Sequence, residues 1–310
     1  MGERLTDRYE IIKLFGRGGT AYVYLAKDHS ETTPFQKDNP ICSVKTLIDG
    51  GYDRKGLRRF LREAQALATV SHPHIIPIYD VAEDKDRPFL VTEFYKGGTL
   101  KSLIDKSKLE SPDDIKLMLH YGADICDALQ CAHDAGIYHR DLKPENVYVS
   151  EEITNDSSPR PVLKLADFGI AHLRDASSAL TTANRILGTI KYASPEQLMA
   201  LKKKDGSADI DGRTDLYSFG VMLYHMLTKK YPYEGDERSV MYQHVDKKVS
   251  PIPPSALNKL IPPVLDAIVF KLLRKNRDER YDTAKEVSTR LRQIASLDKF
   301  ESLSGILYPN

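Results

Sequence analysis

The chain has 310 residues, with 45 Lys+Arg against 44 Asp+Glu, a formal net charge of +1 and 41% hydrophobic residues. So even a balance supplies no global field toward nucleic acid or an acidic membrane, and the length allows two lobes with no room for a further sizeable domain. No run approaches the roughly 18 to 20 apolar residues of a membrane span, Met1-Gly2-Glu3-Arg4 lacks a signal-peptide core, and Cys42, Cys126 and Cys131 form no CxxC pair, so a cytoplasmic protein with reduced, packed thiols is expected.

Tyr9 to Ala26 alternates apolar and polar residues around a glycine cluster, which predicts two strands joined by a tight loop. Glycines there let backbone amides approach phosphate oxygens with no side chain in the way. The polar segment Asp28 to Pro40 reads as a surface insertion. Ile41 to Leu47 reads as a strand in which Lys45, a charge among apolar residues, needs a partner; Glu63, in a helix predicted over Leu57 to Thr69, is the candidate. Phe89 to Tyr95 reads as a buried strand running into a connector softened by Gly97 and Gly98. Pro112 to Gly136 carries apolar residues at helical spacing behind a Ser111-Pro112 start signal, and Phe219 to Leu227 reads as a second apolar helix. Polar insertions are expected near Glu151 to Pro161 and Leu201 to Asp211; the Lys202-Lys203-Lys204 run in the latter reads as solvated loop.

The stretch His139-Arg140-Asp141-Leu142-Lys143-Pro144-Glu145-Asn146 packs a base, a phosphate-contacting cation and a metal ligand into eight residues. That set suits phosphoryl transfer, in which the protein mainly positions a hydroxyl, holds metal and neutralises charge. Asp141 can orient or accept the hydroxyl proton, Lys143 can reach the transferring phosphate, and Asn146 can offer a neutral oxygen to magnesium. Followed by Ala166-Asp167-Phe168-Gly169, the octapeptide resembles the catalytic loop and metal-binding segment of eukaryotic-type Ser/Thr protein kinases, most closely their bacterial members. Gly16-Arg17-Gly18-Gly19-Thr20-Ala21-Tyr22-Val23, Ser43-Val44-Lys45 and Ala193-Ser194-Pro195-Glu196 resemble that family's glycine-rich loop, lysine strand and APE segment, in the family's order.

The resemblance implies an α+β, two-lobed protein kinase fold. It has a β-rich N-lobe at about 9–95 and a mainly helical C-lobe at about 96–295, within a domain spanning 9–295 between an extension at 1–8 and a tail at 296–310. It implies ATP with Mg2+, or Mn2+ as a substitute. The nucleotide would lie under Gly16, Arg17, Gly18, Gly19, Thr20 and Ala21, with Val23 and Ser43 above it and Tyr148 below. Thr92 would stand at the back, and the main chain of Glu93 and Tyr95 would bond the adenine edge. Ser43 replaces a usual alanine and Tyr148 an aliphatic residue. The implied catalytic set is Asp141, Lys143, Lys45 and Glu63, with a Lys45–Glu63 pair orienting the lysine, and Asn146 and Asp167 holding metal. Asp215, in an Arg213-Thr214-Asp215 turn, would brace the catalytic loop, and Glu196 would pair with Arg280. Arg140 can receive a phosphate on an activation segment carrying Ser177, Ser178, Thr181, Thr182 and Thr189, with Thr181 and Thr182 the expected phosphosites and His172 or Arg174 a second cation.

The activity implied is phosphorylation of protein Ser/Thr hydroxyls, with self-association for autophosphorylation in trans. Lys143 favours Ser/Thr over Tyr, and neither nucleic acid nor a membrane is a partner. A pseudokinase scaffold that only binds ATP would require damage at Lys45, Asp141, Asn146 or Asp167, and all four are intact.

Overall fold

The computed structural model describes residues 4–17, 21–31, 40–47, 54–84, 87–156, 158–168, 190–200 and 210–297, and for 54–60 the backbone alone. Strands β1 (Arg4–Leu5), β2 (Tyr9–Arg17), β3 (Ala21–Asp28), β4 (Ile41–Leu47), β5 (Ile78–Asp84) and β6 (Arg87–Glu93) form an antiparallel sheet of order β1-β2-β3-β4-β6-β5. Alternation along β4 divides its residues between two faces. Cys42 and Val44 join Tyr9, Ala26, Phe89 and Val91 in a buried cluster, while Ser43 and Lys45 line a cleft. Helix α1 (Arg54–Ala68) packs Ala64 against Leu47 and Leu90.

The second lobe is mainly helical: α2 (Leu100–Lys106), α3 (Pro112–Asp134), α4 (Pro195–Ala200), α5 (Gly212–Thr228), α6 (Glu237–Val245), α7 (Pro254–Leu257), α8 (Pro263–Leu272) and α9 (Ala284–Ala295). A hairpin of β7 (Val147–Ile153) and β8 (Pro161–Leu165) lies beneath the cleft. Ser111 caps α3 by accepting from the Asp114 amide, and the Asp114 carboxylate accepts from the Ser111 amide in return. Gly122 lets three helices meet, since a Cβ there would lie 3.2 Å from Leu291 and 3.3 Å from Phe219. Among the described residues, no helix is long and apolar enough to cross a membrane.

Two expectations change. Asp215 lies in the first turn of α5, which starts at Gly212, where a turn and a helix from Phe219 were expected. The buried polar residues Thr214, Asp215 and Ser218 interrupt the apolar pattern that marks a buried helix. The insertion expected at 151–161 is shorter, because β7 runs to Ile153. It also folds back inward: the Thr154 amide donates to the Arg160 carbonyl, and the buried Arg160 guanidinium reaches Asp124 at 2.7 Å. Gly18, Gly19 and Thr20, most of the 28–40 insertion, Gly169 to Thr189 with Thr181 and Thr182, Lys202 to Lys204, and the tail beyond 297 lie outside the described residues.

Candidate active site

A cleft opens between the sheet and the hairpin. Val23 on β3 and Ser43 on β4 form one wall, Tyr148 on β7 the opposite one, and Thr92 on β6 the back. Ser43 and Thr92 are cross-strand partners, as are Lys45 and Leu90, so strand register sets the distance from the back wall to the lysine. The ring of Tyr148 lies nearly parallel to that of Tyr95, at 23° and 6.4 Å, and the charge of Asp167, then burial, raises its phenol pKa. The Tyr95 hydroxyl donates to the Glu93 carboxylate at 2.9 Å, which ties down the start of the connector. Gly97 permits that connector to pass the hairpin, because a Cβ would fall 2.3 Å from the Val149 carbonyl oxygen.

Beneath the cleft, Asp215 organises the loop bearing the octapeptide. Its carboxylate accepts from the backbone amides of His139 at 2.8 Å and Arg140 at 2.7 Å, and from His133 Nε2 at 2.8 Å. Arg140 takes φ +62°, a left-handed conformation costing a non-glycine residue about 1 to 3 kcal/mol, and the grip of Asp215 on its amide holds it there. His139 is fully buried. Its Nε2 meets the Ala166 carbonyl oxygen at 2.9 Å and its Nδ1 accepts from the Asp141 amide at 3.3 Å, which fixes a neutral imidazole with hydrogen on Nε2. Burial drives its pKa down in the same sense.

The outcome is a compact polar cluster. Asp141 Oδ2 accepts from Lys143 Nζ at 2.7 Å and from Asn146 Nδ2 at 3.2 Å, and Asn146 Nδ2 also donates to the Asp141 carbonyl at 2.8 Å. Asp167, itself at φ +62°, pairs with Lys45 at 2.6 Å. Burial would raise the Asp167 carboxyl, but the charge and hydrogen bond of Lys45 outweigh it and hold the group below its usual range.

The expected Lys45–Glu63 pair is therefore not the one present. Glu63 on α1 faces Arg140 at 3.8 Å instead. Lys45 pairs with Asp167, and α1 as placed brings Glu63 to Arg140. Glu196 and Arg280 form a two-pronged pair at 2.8 and 2.9 Å, as the sequence suggested, and Thr214 adds a hydrogen bond to the same carboxylate at 2.8 Å.

A family model described as "Protein kinase domain" matches residues 9–290. The chain belongs to the protein kinase family. It is 36% identical over 296 residues to a probable serine/threonine-protein kinase of Clostridium perfringens, covering 95% of this chain and 39% of that protein. It is 37% identical over 297 residues to the serine/threonine-protein kinase PknB of Mycobacterium tuberculosis, covering 94% of this chain and 43% of that one. The chain thus spans about two-fifths of the length of these relatives. The crystal structure of the PknI kinase domain of Mycobacterium tuberculosis superposes with a TM-score of 0.67 at 21% identity, over 94% of this chain and 98% of that one, and shares the fold.

Within this kinase fold, sequence reasoning missed several contributors. Phe15 and Phe94 line the cleft, and Gln197 Nε2 donates to the Arg140 carbonyl at 2.7 Å, tying α4 to the catalytic loop. Phe15 is adjacent to Gly16, and Phe94 lies between two residues singled out for the connector, so proximity to the motifs was the available signal.

Proposed function

We propose that the chain transfers the γ-phosphoryl group of ATP to Ser/Thr hydroxyls of proteins. The observation that carries this reading is the position of Asp141: its carboxylate is held by Lys143 and Asn146 beside the Lys45–Asp167 pair. Asp141 Oδ1 accepts no hydrogen bond from another described side chain and can take up the proton of an acceptor hydroxyl. Lys143, already bonded to Asp141, can follow the phosphoryl group as charge shifts toward the acceptor oxygen. Lys45 bonds the α- and β-phosphates, while Val23, Ser43 and Tyr148 flank the base, Thr92 backs it, and the main chain of Glu93 and Tyr95 meets its edge.

The donor set fits a hard divalent cation. Asp167 offers a carboxylate and Asn146 a carbonyl oxygen whose amide nitrogen is already committed to Asp141. Mg2+ bound there supplies charge neutralisation of the phosphates, and Mn2+ suits the same oxygen donors. Autophosphorylation in trans at Thr181 or Thr182, and the self-association it requires, extend the reading.

The test is transfer of labelled phosphate from ATP to added protein. Asp141→Asn should slow transfer by about 10²- to 10⁴-fold while leaving nucleotide affinity within a few-fold, because the side chain acts on the acceptor. Turnover at the parent rate would remove Asp141 from this role, and a parent without transfer to any Ser or Thr would remove the activity.

A further inference from the structure

The ring of Phe15 meets that of Phe94 edge to face, with centroids 4.9 Å apart and planes at 87°. Phe15 is on β2 and Phe94 follows directly after β6, and in the sheet order β3 and β4 stand between those two strands. Hydrogen-bonded strands lie about 4.8 Å apart, so in a flat sheet β2 and β6 would be separated by about 14 Å. The contact is therefore made across the cleft and not along the ladder. Both rings line the cleft, and Phe15 is still 54% exposed, so the pair stands at the rim between cleft and solvent. Its perpendicular geometry sets a ring edge against a ring face, an attractive arrangement for aromatic quadrupoles.

We propose that Phe15 and Phe94 form an aromatic clasp that closes the outer end of the cleft behind a planar base and sets how fast nucleotide leaves. The proposal rests on the reading of the cleft as a nucleotide site. Phe15 belongs to the strand that runs into the glycine cluster and Phe94 to the connector between the lobes. A base departing through the rim must part the two rings, so the energy of their contact adds to the barrier for release. Entry passes the same rim through the same transition state, so the contact slows entry as well as release. Phe15 and Phe94 are positioning residues; no step of phosphoryl transfer uses either ring.

The test measures release of N-methylanthraniloyl-ADP, chased with unlabelled ATP in a stopped-flow instrument. The chain contains no Trp, which leaves the label as the dominant emitter. Phe15→Leu and Phe94→Leu should each speed release by about 2- to 12-fold, the range for one aromatic pair. The double variant should be no faster than the faster single one, because either substitution already breaks the contact. Phe94→Tyr keeps the ring and should stay within about 2-fold of the parent. Effects that multiply independently in the double variant, or a Tyr variant as fast as the Leu variant, would overturn the clasp while leaving the nucleotide reading intact. A parent that does not bind the labelled nucleotide would overturn both. Phe15, half in solvent, accepts leucine without loss of fold. Phe15→Leu compared with Phe15→Tyr gives the same decision if Phe94→Leu does not fold.

Discussion

Two glutamate–arginine pairs sit in different parts of this kinase fold and are built to opposite specifications. Glu196 and Arg280 meet at 2.8 Å with side chains 13% and 0% exposed, whereas Glu63 and Arg140 approach only to 3.8 Å at 36% and 31%. Every N–H of the Arg280 guanidinium has an acceptor: the Glu196 carboxylate and the carbonyls of Arg213, Arg274 and Lys275. Thr214 completes the carboxylate from the other side. Burial by itself would raise the Glu196 carboxyl, but Arg280 outweighs it and holds the group below its ordinary range. Such an assembly has no low-cost alternative, because parting it strands a charge away from water. The Glu63–Arg140 contact is longer and half-exposed, so water competes for it, whereas Lys45–Asp167 is short, at 2.6 Å, yet still reached by solvent at 18% and 30% exposure. The buried pair of the helical lobe is shut away from water, while the charges around the cleft remain within its reach.

The largest effect that tests this contrast is loss of one buried partner. Arg280→Ala should destabilise the protein by about 3 to 5 kcal/mol, measured by urea unfolding, because Glu196 is left uncompensated. A loss below about 1 kcal/mol would mean that water reaches the pair and that the two classes are not distinct.

The helical lobe also buries imidazoles, His225 and His244 alongside His139, and acid should find them. Burial, then Lys101, pushes His225 down to about 4, and burial, then Lys275, pushes His244 to about 3, from an ordinary 6.5. Each Nδ1 accepts a tyrosine hydroxyl, from Tyr192 at 3.0 Å and Tyr217 at 2.9 Å, which suits the neutral ring. Below pH 6.5 the unfolded chain takes protons that the folded one refuses. Their contribution is therefore intact above that pH and is lost as pH falls toward the folded values. Between pH 7 and 5 this amounts to about 2 kcal/mol for each histidine. Urea unfolding across that range should show the slope, and His225→Gln should remove about 2 kcal/mol of the change. An unchanged slope in that variant would mean that His225 is charged when folded.

What the sequence disclosed divides along a similar line. The octapeptide and Asp167 were legible because their chemistry is packed into short, ordered motifs. Glu196 and Arg280, 84 positions apart, were legible only through family resemblance. Arg160 was not, since nothing in a polar loop signals that one arginine will turn inward to a carboxylate 36 positions away. The beginning of α5 was obscured because its polar residues are buried by long-range partners: Asp215 by the His139 and Arg140 amides, Thr214 by Glu196. The Lys45 partner depended on where α1 docks, a tertiary outcome that local pattern does not contain.

On the cleft side, effects should be smaller and should appear in binding. Tyr148→Leu replaces the ring that underlies the base in the proposed reading, and nucleotide affinity should weaken by about 0.5 to 1.5 kcal/mol with stability nearly unchanged. Titration calorimetry decides it: affinity equal to or tighter than the parent would mean that the base does not rest on this ring.

The smallest expected effect is the sharpest test of the comparison. Glu63→Ala removes one end of a half-exposed contact, and stability should change by no more than about 0.5 kcal/mol, since a pair 3.8 Å apart within reach of water contributes little. A cycle with Arg140→Ala should give a coupling of about 0.2 to 1 kcal/mol at low salt. Near 1 M NaCl, where the screening length is about 3 Å, that coupling should approach zero. The same cycle on Glu196 and Arg280 should give a coupling that salt hardly alters, because ions cannot enter between them. If Glu63–Arg140 instead kept a coupling of about 2 kcal/mol or more at high salt, it would be a fixed brace like its buried counterpart. Glu63 would then not be available to exchange partners, and the docked position of α1 would be part of the permanent architecture.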